Sequence, residues 1–580
     1  MLSPINRRRH GSAVRAGLLT LVLAGCHSRP ATPVTAAPAT PPRVVVTVVV
    51  DQLAAWIAAE RWPALPPEGG FARLRREGTY VREIRYEHSV NDTAPGHAAL
   101  YSGAAPRESG ISSNEVIPAE GGAAKGILAD GKTRLIGISA GPISRAGSSL
   151  ERLQVETIAD VFAAAVPGAQ IFSFSLKDRG AIFGGGRNPD AVLWFDPELQ
   201  EFVTSTAFAA RALDALAPAG NRAAVAATIA EGWDLSGPAR AWVAAHAQTP
   251  DDQKGEGDYG GLGITFPHKI PSAKALRATP GGDRLVVALG QAAVAVAATN
   301  QRPTLLALSL SSHDYVAHVF GPHSWEAWDE LRQIDAQLAQ LMSALDRAVG
   351  PDGYAVMVTG DHGSSPLPEL AGTAADPWGC STGRASPDPW ERPCGERRRV
   401  IPEKVAATLE EALGLTLGNG HWVSGVAEPL VYLSAPARAL PAAERQRLVA
   451  TAKQALRPLG IDDVVDISLA GALCAPAETS RAALVCAATR PGQPGDLYLV
   501  VQPGAFFDPG YVTGFGTSHG SPYLYDRAVP LLVRAPGRVT AGRVVETPLS
   551  FASFTRTAAS LLGVRPPAGA RPGTDLTASR

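Results

Sequence analysis

The chain has almost no net charge. Its 580 residues carry 53 Lys and Arg against 54 Asp and Glu, a formal charge of −1. With no positive excess, a nucleic-acid binder that neutralises phosphates is not expected. Charged residues make up only 18% of the chain and apolar ones 45%, which excludes wholesale disorder and allows a large core. Methionine is scarce, with three residues, whereas 59 Gly and 48 Pro imply many loops. No internal repeat is visible. Cysteine is sparse too, with five residues and no Cys-x-x-Cys spacing, so a four-cysteine zinc site is the weaker reading of them.

The N-terminus lacks an apolar run long enough to span a bilayer. A basic stretch, NRRRHGSAVR, leads into the short run AGLLTLVLAG and then Cys26. This pattern reads as a secretory signal over residues 1–25 rather than a membrane helix. The tetrapeptide LAGC, Leu23 to Cys26, resembles a bacterial lipobox, which implies lipidation of Cys26. An ordinary signal peptide with an incidental cysteine is the alternative. Residues 26–43 have the Pro- and Ala-rich composition of an extended tether. These features predict an exported protein of the periplasm or cell envelope, held to a bacterial membrane by its N-terminal lipid alone. The remaining Cys380, Cys394, Cys474 and Cys486 form an even set in an exported chain. They are candidate disulfides, with neighbouring pairs the simplest connectivity.

Past the tether the sequence has the rhythm of an α/β protein. RVVVTVVVDQL is a continuous β-branched run ending at Asp51, the signature of a buried parallel strand. TLLALSLSSHDYVAH repeats the design ahead of Asp314. In the next segment Trp328, Leu331, Ile334, Leu338, Leu341, Met342 and Leu345 recur at three and four residues, which predicts an amphipathic helix. YAVMVTGDHG is a further apolar strand ending at Asp361 and His362. Strand, helix and strand make a parallel crossover unit. The expected fold is a central, mostly parallel sheet flanked by helices over 44–565. Regions 180–300 and 364–510 read as insertions capping its edge, and 566–580 as a C-terminal tail. Sites in open α/β sheets form at the carboxyl ends of strands, where Asp51, Asp314, Asp361 and His362 all fall.

Asp314 and His318 are four residues apart, so on a helix their side chains share a face and can grip one cation. A helix cap with a surface histidine is the plainer reading. Asp361 and His362 are adjacent in extended chain and point opposite ways, so they can serve two different ions. His519 stands in the Gly-rich stretch GFGTSHGSPY. Thr93 in SVNDTAPGHAAL is readable either as a helix cap or as a reacting group. Taken together, Asp51, Asp314, His318, Asp361, His362 and His519 supply about the six ligands that a two-metal site requires.

In motif order across roughly 44–565, Asp51, TAPGH, DYVAHVFGP, TGDHG and SHGSPY resemble the alkaline phosphatase superfamily. The similarity is to its exported bacterial branch with a threonine nucleophile, related to nucleotide pyrophosphatase/phosphodiesterases. That resemblance implies two zinc ions, one held by Asp314, His318 and His519, the other by Asp51, Asp361, His362 and the Thr93 oxygen. It implies Thr93 as nucleophile, passing through a phosphothreonine. Asn114, in GISSNEV, and Lys177 and Arg179, in FSFSLKDRGAIF, would then contact the transferred phosphoryl group. The Lys–Arg pair is expected on one face of a strand end. It would favour phosphate monoesters, whose extra charged oxygen a guanidinium pairs well. The chain departs from the family pattern at Ser109-Gly110-Ile111 and at His313, neither of them an expected ligand. No Cys-x-Pro-x-Arg stretch exists to supply a sulfatase formylglycine. The expectation is thus an alkaline phosphatase acting on small phosphate esters. A phosphodiesterase on the same fold is the alternative, and a non-catalytic anchored binding protein the more distant one.

Overall fold

The structure is a computed structural model, and it describes residues 41–118, 122–139, 141–208, 211–378, 390–393, 396–469 and 480–578. Cys26, Cys380, Cys394 and Cys474 lie outside the described residues, as do the signal and all but the end of the tether. Cys486 is disulfide-bonded.

A mixed sheet of twelve strands organises the protein. Its order along the sheet is Arg543–Val545, Thr79–Arg85, Ala528–Arg534, Tyr354–Thr359, Val44–Val50, Thr304–Leu310, Gln170–Ser175, Ala191–Asp196, Glu201–Ser205, Ala129–Gly137 and Gly141–Ser148. Leu549–Ser550 pairs beside Thr79–Arg85. The middle five strands, from Tyr354–Thr359 to Ala191–Asp196, are parallel. Their β-branched and aromatic runs are buried on both faces, as expected where helices cover both sides. One face packs under Trp328, Leu331, Ile334 and Leu338 of the helix Trp325–Val349, in the periodic stripe read from the sequence. The other face packs under the helices Thr93–Ser102 and Ala552–Leu562.

Register decides where the polar residues emerge. Val50 pairs with Leu310, Val49 with Thr359, and Ser309 with Ser175. The parallel strands therefore end level, and Asp51, the segment leading to Asp314, Asp361 and the segment leading to Lys177 all leave the same edge.

The regions read as insertions divide differently from their expected bounds. Within 180–300, Ala191–Asp196 and Glu201–Ser205 are strands of the main sheet. Pro280–Asn300 is long and apolar enough to cross a membrane, but it packs on strands Thr304–Leu310 and Gln170–Ser175 as a core helix. Only the stretch between these elements leaves the sheet. Within 364–510 the chain builds its own antiparallel sheet, in the order Val423–Ala427, Leu430–Leu433, Leu497–Val501, Ile461–Asp466. The helices Pro402–Leu417 and Ala442–Leu456 cover one face of it, with Leu409, Leu413, Leu448 and Leu456 in a separate core. That core could not be told from sequence, because its strands are short and its helices only weakly amphipathic. The residues beyond 565 are not a loose tail throughout: Leu576 is buried in the main core, and Arg571 pairs with Glu108.

Candidate active site

Two groups of buried metal-ligating side chains meet at the carboxyl edge of the parallel strands. One is Asp314, His318 and His519; the other is Asp51, Asp361 and His362. All six residues are almost wholly buried. Asp314 and His318 lie four apart on the helix Ser312–Phe320 and face the same way, with His318 Nε2 3.1 Å from Asp314 Oδ1.

The hydrogen bonds behind the rings show what the ring fronts are for. His318 Nδ1 lies 2.7 Å from the Thr517 carbonyl, His519 Nδ1 2.7 Å from the Asn91 carbonyl, and His362 Nδ1 3.1 Å from the Gly363 carbonyl. A carbonyl only accepts, so each Nδ1 carries the proton, and in the neutral ring each Nε2 presents a lone pair. The Nε2 atoms of His318 and His519 are only 3.2 Å apart, and His519 Nε2 is also 3.5 Å from Asp314 Oδ1. In the second group His362 Nε2 sits 3.4 Å from Asp51 Oδ1 and 3.5 Å from Asp361 Oδ2. Those three atoms are buried without a hydrogen-bond partner. Acceptors aimed at one another without intervening protons are unstable in a dry site. Divalent cations would satisfy both sets, and mixed His/Asp donors of this kind suit zinc. The residues therefore fit a binuclear metal site.

Without a metal, positive charge gathers on these carboxylates instead. The Asp314 carboxyl is held well below its ordinary range: burial would raise it, but His318 and Lys177 prevail. The His519 imidazole is driven well above its ordinary value, because hydrogen bonds to Asp314 and Asp92 outweigh its burial.

Thr93 is the first residue of the helix Thr93–Ser102, and Asp92, not Thr93, occupies the N-cap position. The Ala94 amide donates to Asn114 Oδ1 at 2.9 Å, which brings Asn114 to the start of this helix. Gly96 of TAPGH permits a close approach, since a Cβ there would stand 2.4 Å from the Asp361 carbonyl oxygen. His97 Nδ1 donates to the Thr93 carbonyl at 2.9 Å and passes 3.1 Å from Asp361 Oδ2, while its Nε2 lies 2.9 Å from Ser309 Oγ.

Lys177 stands at the centre. Its ammonium is 2.7 Å from Asp51 Oδ2, 2.6 Å from Asp314 Oδ2 and 3.2 Å from Thr93 Oγ1. It thus touches both carboxylate sets and the threonine at once. The expected strand-face placement of Lys177 and Arg179 is not what forms. The strand ends at Ser175, Lys177 caps the helix Asp178–Gly185, and Arg179 lies in its first turn. Arg179 is half-buried, and its backbone amide donates to Asp178 Oδ1.

Sequence reading passed over Gln52. Its backbone amide donates to Asp361 Oδ1 at 3.0 Å, and its side-chain amide donates to Asp314 Oδ1 at 2.9 Å. One residue thereby braces a carboxylate of each group. Adjacency to Asp51 was the only available signal. Tyr315 beside Lys177, Tyr511 beside His318, and Arg277 on Tyr315 were also passed over.

The model of the type I phosphodiesterase / nucleotide pyrophosphatase family matches residues 45–149 and 187–507. The chain belongs to this family, and within the alkaline phosphatase superfamily it falls in the bacterial branch of PafA and PhoV. It is 29% identical to alkaline phosphatase PafA of Elizabethkingia meningoseptica over 334 residues, 56% of this chain and 60% of that protein. It is 27% identical to alkaline phosphatase PhoK of a Sphingomonas species over 511 residues, 85% of this chain and 84% of the other. The crystal structure of wild-type PafA superposes with a TM-score of 0.76 at 22% identity, covering 93% of this chain and 99% of that one. The family match leaves out 150–186, which holds Lys177 and Arg179, and everything after 507, including His519.

Proposed function

We propose that this protein is an exported, zinc-dependent phosphatase that hydrolyses phosphate monoesters through a phosphothreonine at Thr93. The observation that carries the reading is the position of the Thr93 hydroxyl, 3.2 Å from the one ammonium that also touches both carboxylate sets. One ion would be held by Asp314, His318 and His519, and the other by Asp51, Asp361, His362 and the Thr93 oxygen. When bound, such ions lower the pKa of a coordinated hydroxyl and neutralise charge on entering and leaving oxygens.

The chain's own groups do the rest. Thr93 Oγ1 forms a bond to phosphorus while the bond to the leaving oxygen breaks on the opposite side. Water then attacks the phosphothreonine, releasing orthophosphate and restoring the hydroxyl. The Thr93 helix begins here, so its free amides and dipole favour the phosphoryl oxygens. Asn114 spends its carbonyl on Ala94 and keeps its NH2 for a phosphoryl oxygen. Lys177 and Arg179 supply two positive charges, which match the dianion of a monoester better than the single charge of a diester.

A second reading has its own support, because the matching family is named for phosphodiesterases. Rates on p-nitrophenyl phosphate and bis-p-nitrophenyl phosphate, measured on the zinc-loaded protein, separate the two. Faster turnover of the monoester is expected, and faster turnover of the diester would replace our reading. The LAGC sequence supports a lipid anchor at Cys26 in the cell envelope. Labelled palmitate should enter the wild type and be lost in Cys26→Ser; equal labelling would remove the anchor from the proposal.

A further inference from the structure

A guanidinium that makes no ion pair among the described residues stands on Tyr315, next to this site. Arg277 is half-buried. It donates through Nη1 to the Tyr315 hydroxyl at 3.0 Å, through Nη2 to the Tyr259 hydroxyl, and through Nε to the Lys274 carbonyl. None of these acceptors carries a full negative charge, and among the described residues Arg277 makes no ion pair. Charged side chains removed from water are ordinarily paired. Here the pairing anion is missing, and the hydrogen bonds to two tyrosines fix the cation in place.

The position of that cation ties it to the reaction. Its Cζ lies 4.8 Å from the centroid of the Tyr315 ring, and the Lys177 ammonium lies 5.2 Å from the same centroid. Tyr315 follows directly after Asp314. Tyr511 closes the wall, its ring 5.4 Å from Tyr315, 5.7 Å from Tyr259 and, edge-on, 5.1 Å from His318. The loop bearing Tyr511 is held in shape by Asp508, whose carboxylate accepts from Gly510 and Gly514. The aromatic wall thus stands beside the Asp314, His318 and His519 group, and Arg277 is the charge upon it.

We infer that Arg277 and the tyrosines around it form a subsite for a leaving group that is itself an anion. The substrates that fit are phosphoanhydrides and bisphosphates, in which the departing portion keeps a phosphate of its own. This rests on the phosphatase reading and narrows it. For a nucleoside diphosphate, the bond from the terminal phosphorus to the bridging oxygen breaks. The nucleoside monophosphate leaves with the electron pair, and water supplies the oxygen that ends on orthophosphate. Arg277 holds the departing phosphate, and Tyr511 excludes water beside it.

The test compares a nucleoside 5′-diphosphate with the matching 5′-monophosphate, whose leaving group is neutral. In Arg277→Gln the ratio of kcat/KM, diphosphate over monophosphate, should fall about tenfold, the size expected for one lost charge-assisted hydrogen bond. Arg277→Lys keeps the charge and should keep most of the ratio, which separates loss of charge from loosening of the two tyrosines. An unchanged ratio in Arg277→Gln, or equal ratios in the Gln and Lys variants, would overturn the subsite. Calorimetric titration of the zinc-loaded protein with imidodiphosphate and with orthophosphate gives a readout without turnover. Selective weakening of imidodiphosphate in Arg277→Gln supports the subsite even if no phosphoester is hydrolysed, an outcome that would defeat only the phosphatase reading. Equal weakening of both ligands, or of neither, counts against the subsite.

Discussion

The side-chain amide of Gln52 donates to Asp314 Oδ1 at 2.9 Å, while the Gln52 backbone amide donates to Asp361 at 3.0 Å. Gln52 holds this position with φ of +68°, a left-handed backbone that costs a non-glycine residue roughly 1–2 kcal/mol. Strain of this kind persists where surrounding contacts over-determine it. Removing the amide should weaken zinc binding at the Asp314 group by about tenfold or more. Competition with a fluorescent chelator reads this directly. Gln52→Gly and Gln52→Ala should lose zinc affinity alike, yet the glycine variant should be the more stable by about 1 kcal/mol. Wild-type affinity in both variants would show that Gln52 braces nothing.

Thr93→Ala should lower turnover at least about a thousandfold, as removal of a nucleophile does. Acid-quenched wild type should yield a phosphothreonine-containing peptide by mass spectrometry, and the alanine variant should not. Thr93→Ser keeps the hydroxyl and should keep measurable turnover. Full activity in Thr93→Ala would discard the nucleophile assignment.

Lys177 is fully buried between Asp51 and Asp314, and those carboxylates raise its pKa although burial alone would lower it. Without metal it is the cation closest to both. Lys177→Ala should therefore destabilise the metal-free protein by about 3–5 kcal/mol, the usual cost of leaving buried charge unpaired. The zinc-loaded protein should lose much less, because the ions offset the same carboxylates. Melting temperatures with excess chelator and with excess zinc measure both. Equal losses in the two states would mean that Lys177 acts only as packing.

His88 is buried against the rings of Tyr86 and Phe551. Burial, aided by the Arg571 and Arg527 charges, lowers its pKa to about 3. The folded value is depressed below an unfolded value near ~6.5. Above pH 6.5 the residue is neutral in both states and costs nothing. As pH falls from there towards 3, the unfolded chain takes up a proton that the fold refuses. Stability is then lost at up to about 1.4 kcal/mol per pH unit. His88→Leu should be flatter by that slope. Unfolding free energies of the two proteins between pH 4.5 and 7.5 give the difference, in which the metal contribution cancels. Parallel curves would place the acid sensitivity elsewhere.

Much of the metal-ligating set was legible because local rules govern it. An apolar β-branched run followed by Asp51 or Asp361 announces a buried strand and the edge where it ends. The four-residue spacing of Asp314 and His318 announces one helix face. Lys177 and Arg179 were legible as a pair but not in their geometry. Two residues beyond Ser175 the chain has already turned into a helix, and the strand rule of alternating faces no longer applies. Gln52 was illegible because a left-handed backbone leaves no mark on a non-glycine residue. The separate antiparallel sheet within 364–510 resisted for another reason: its short strands gain their identity only by pairing with one another across 423–501.

The sequence by itself determined which residues can bind metal or react, and which local element carries each of them. Composition, periodicity and spacing act over a few residues, and a reader can follow them at that range. Tertiary structure alone decided that Asp314 and His519 would meet, that Lys177 would stand between two carboxylates, and that Arg277 would make no ion pair among the described residues. Those facts follow from the level ends of five parallel strands and from close packing between segments hundreds of residues apart. Burial then turns such proximity into chemistry, because only in a dry site do facing lone pairs and unpaired charges call for a ligand.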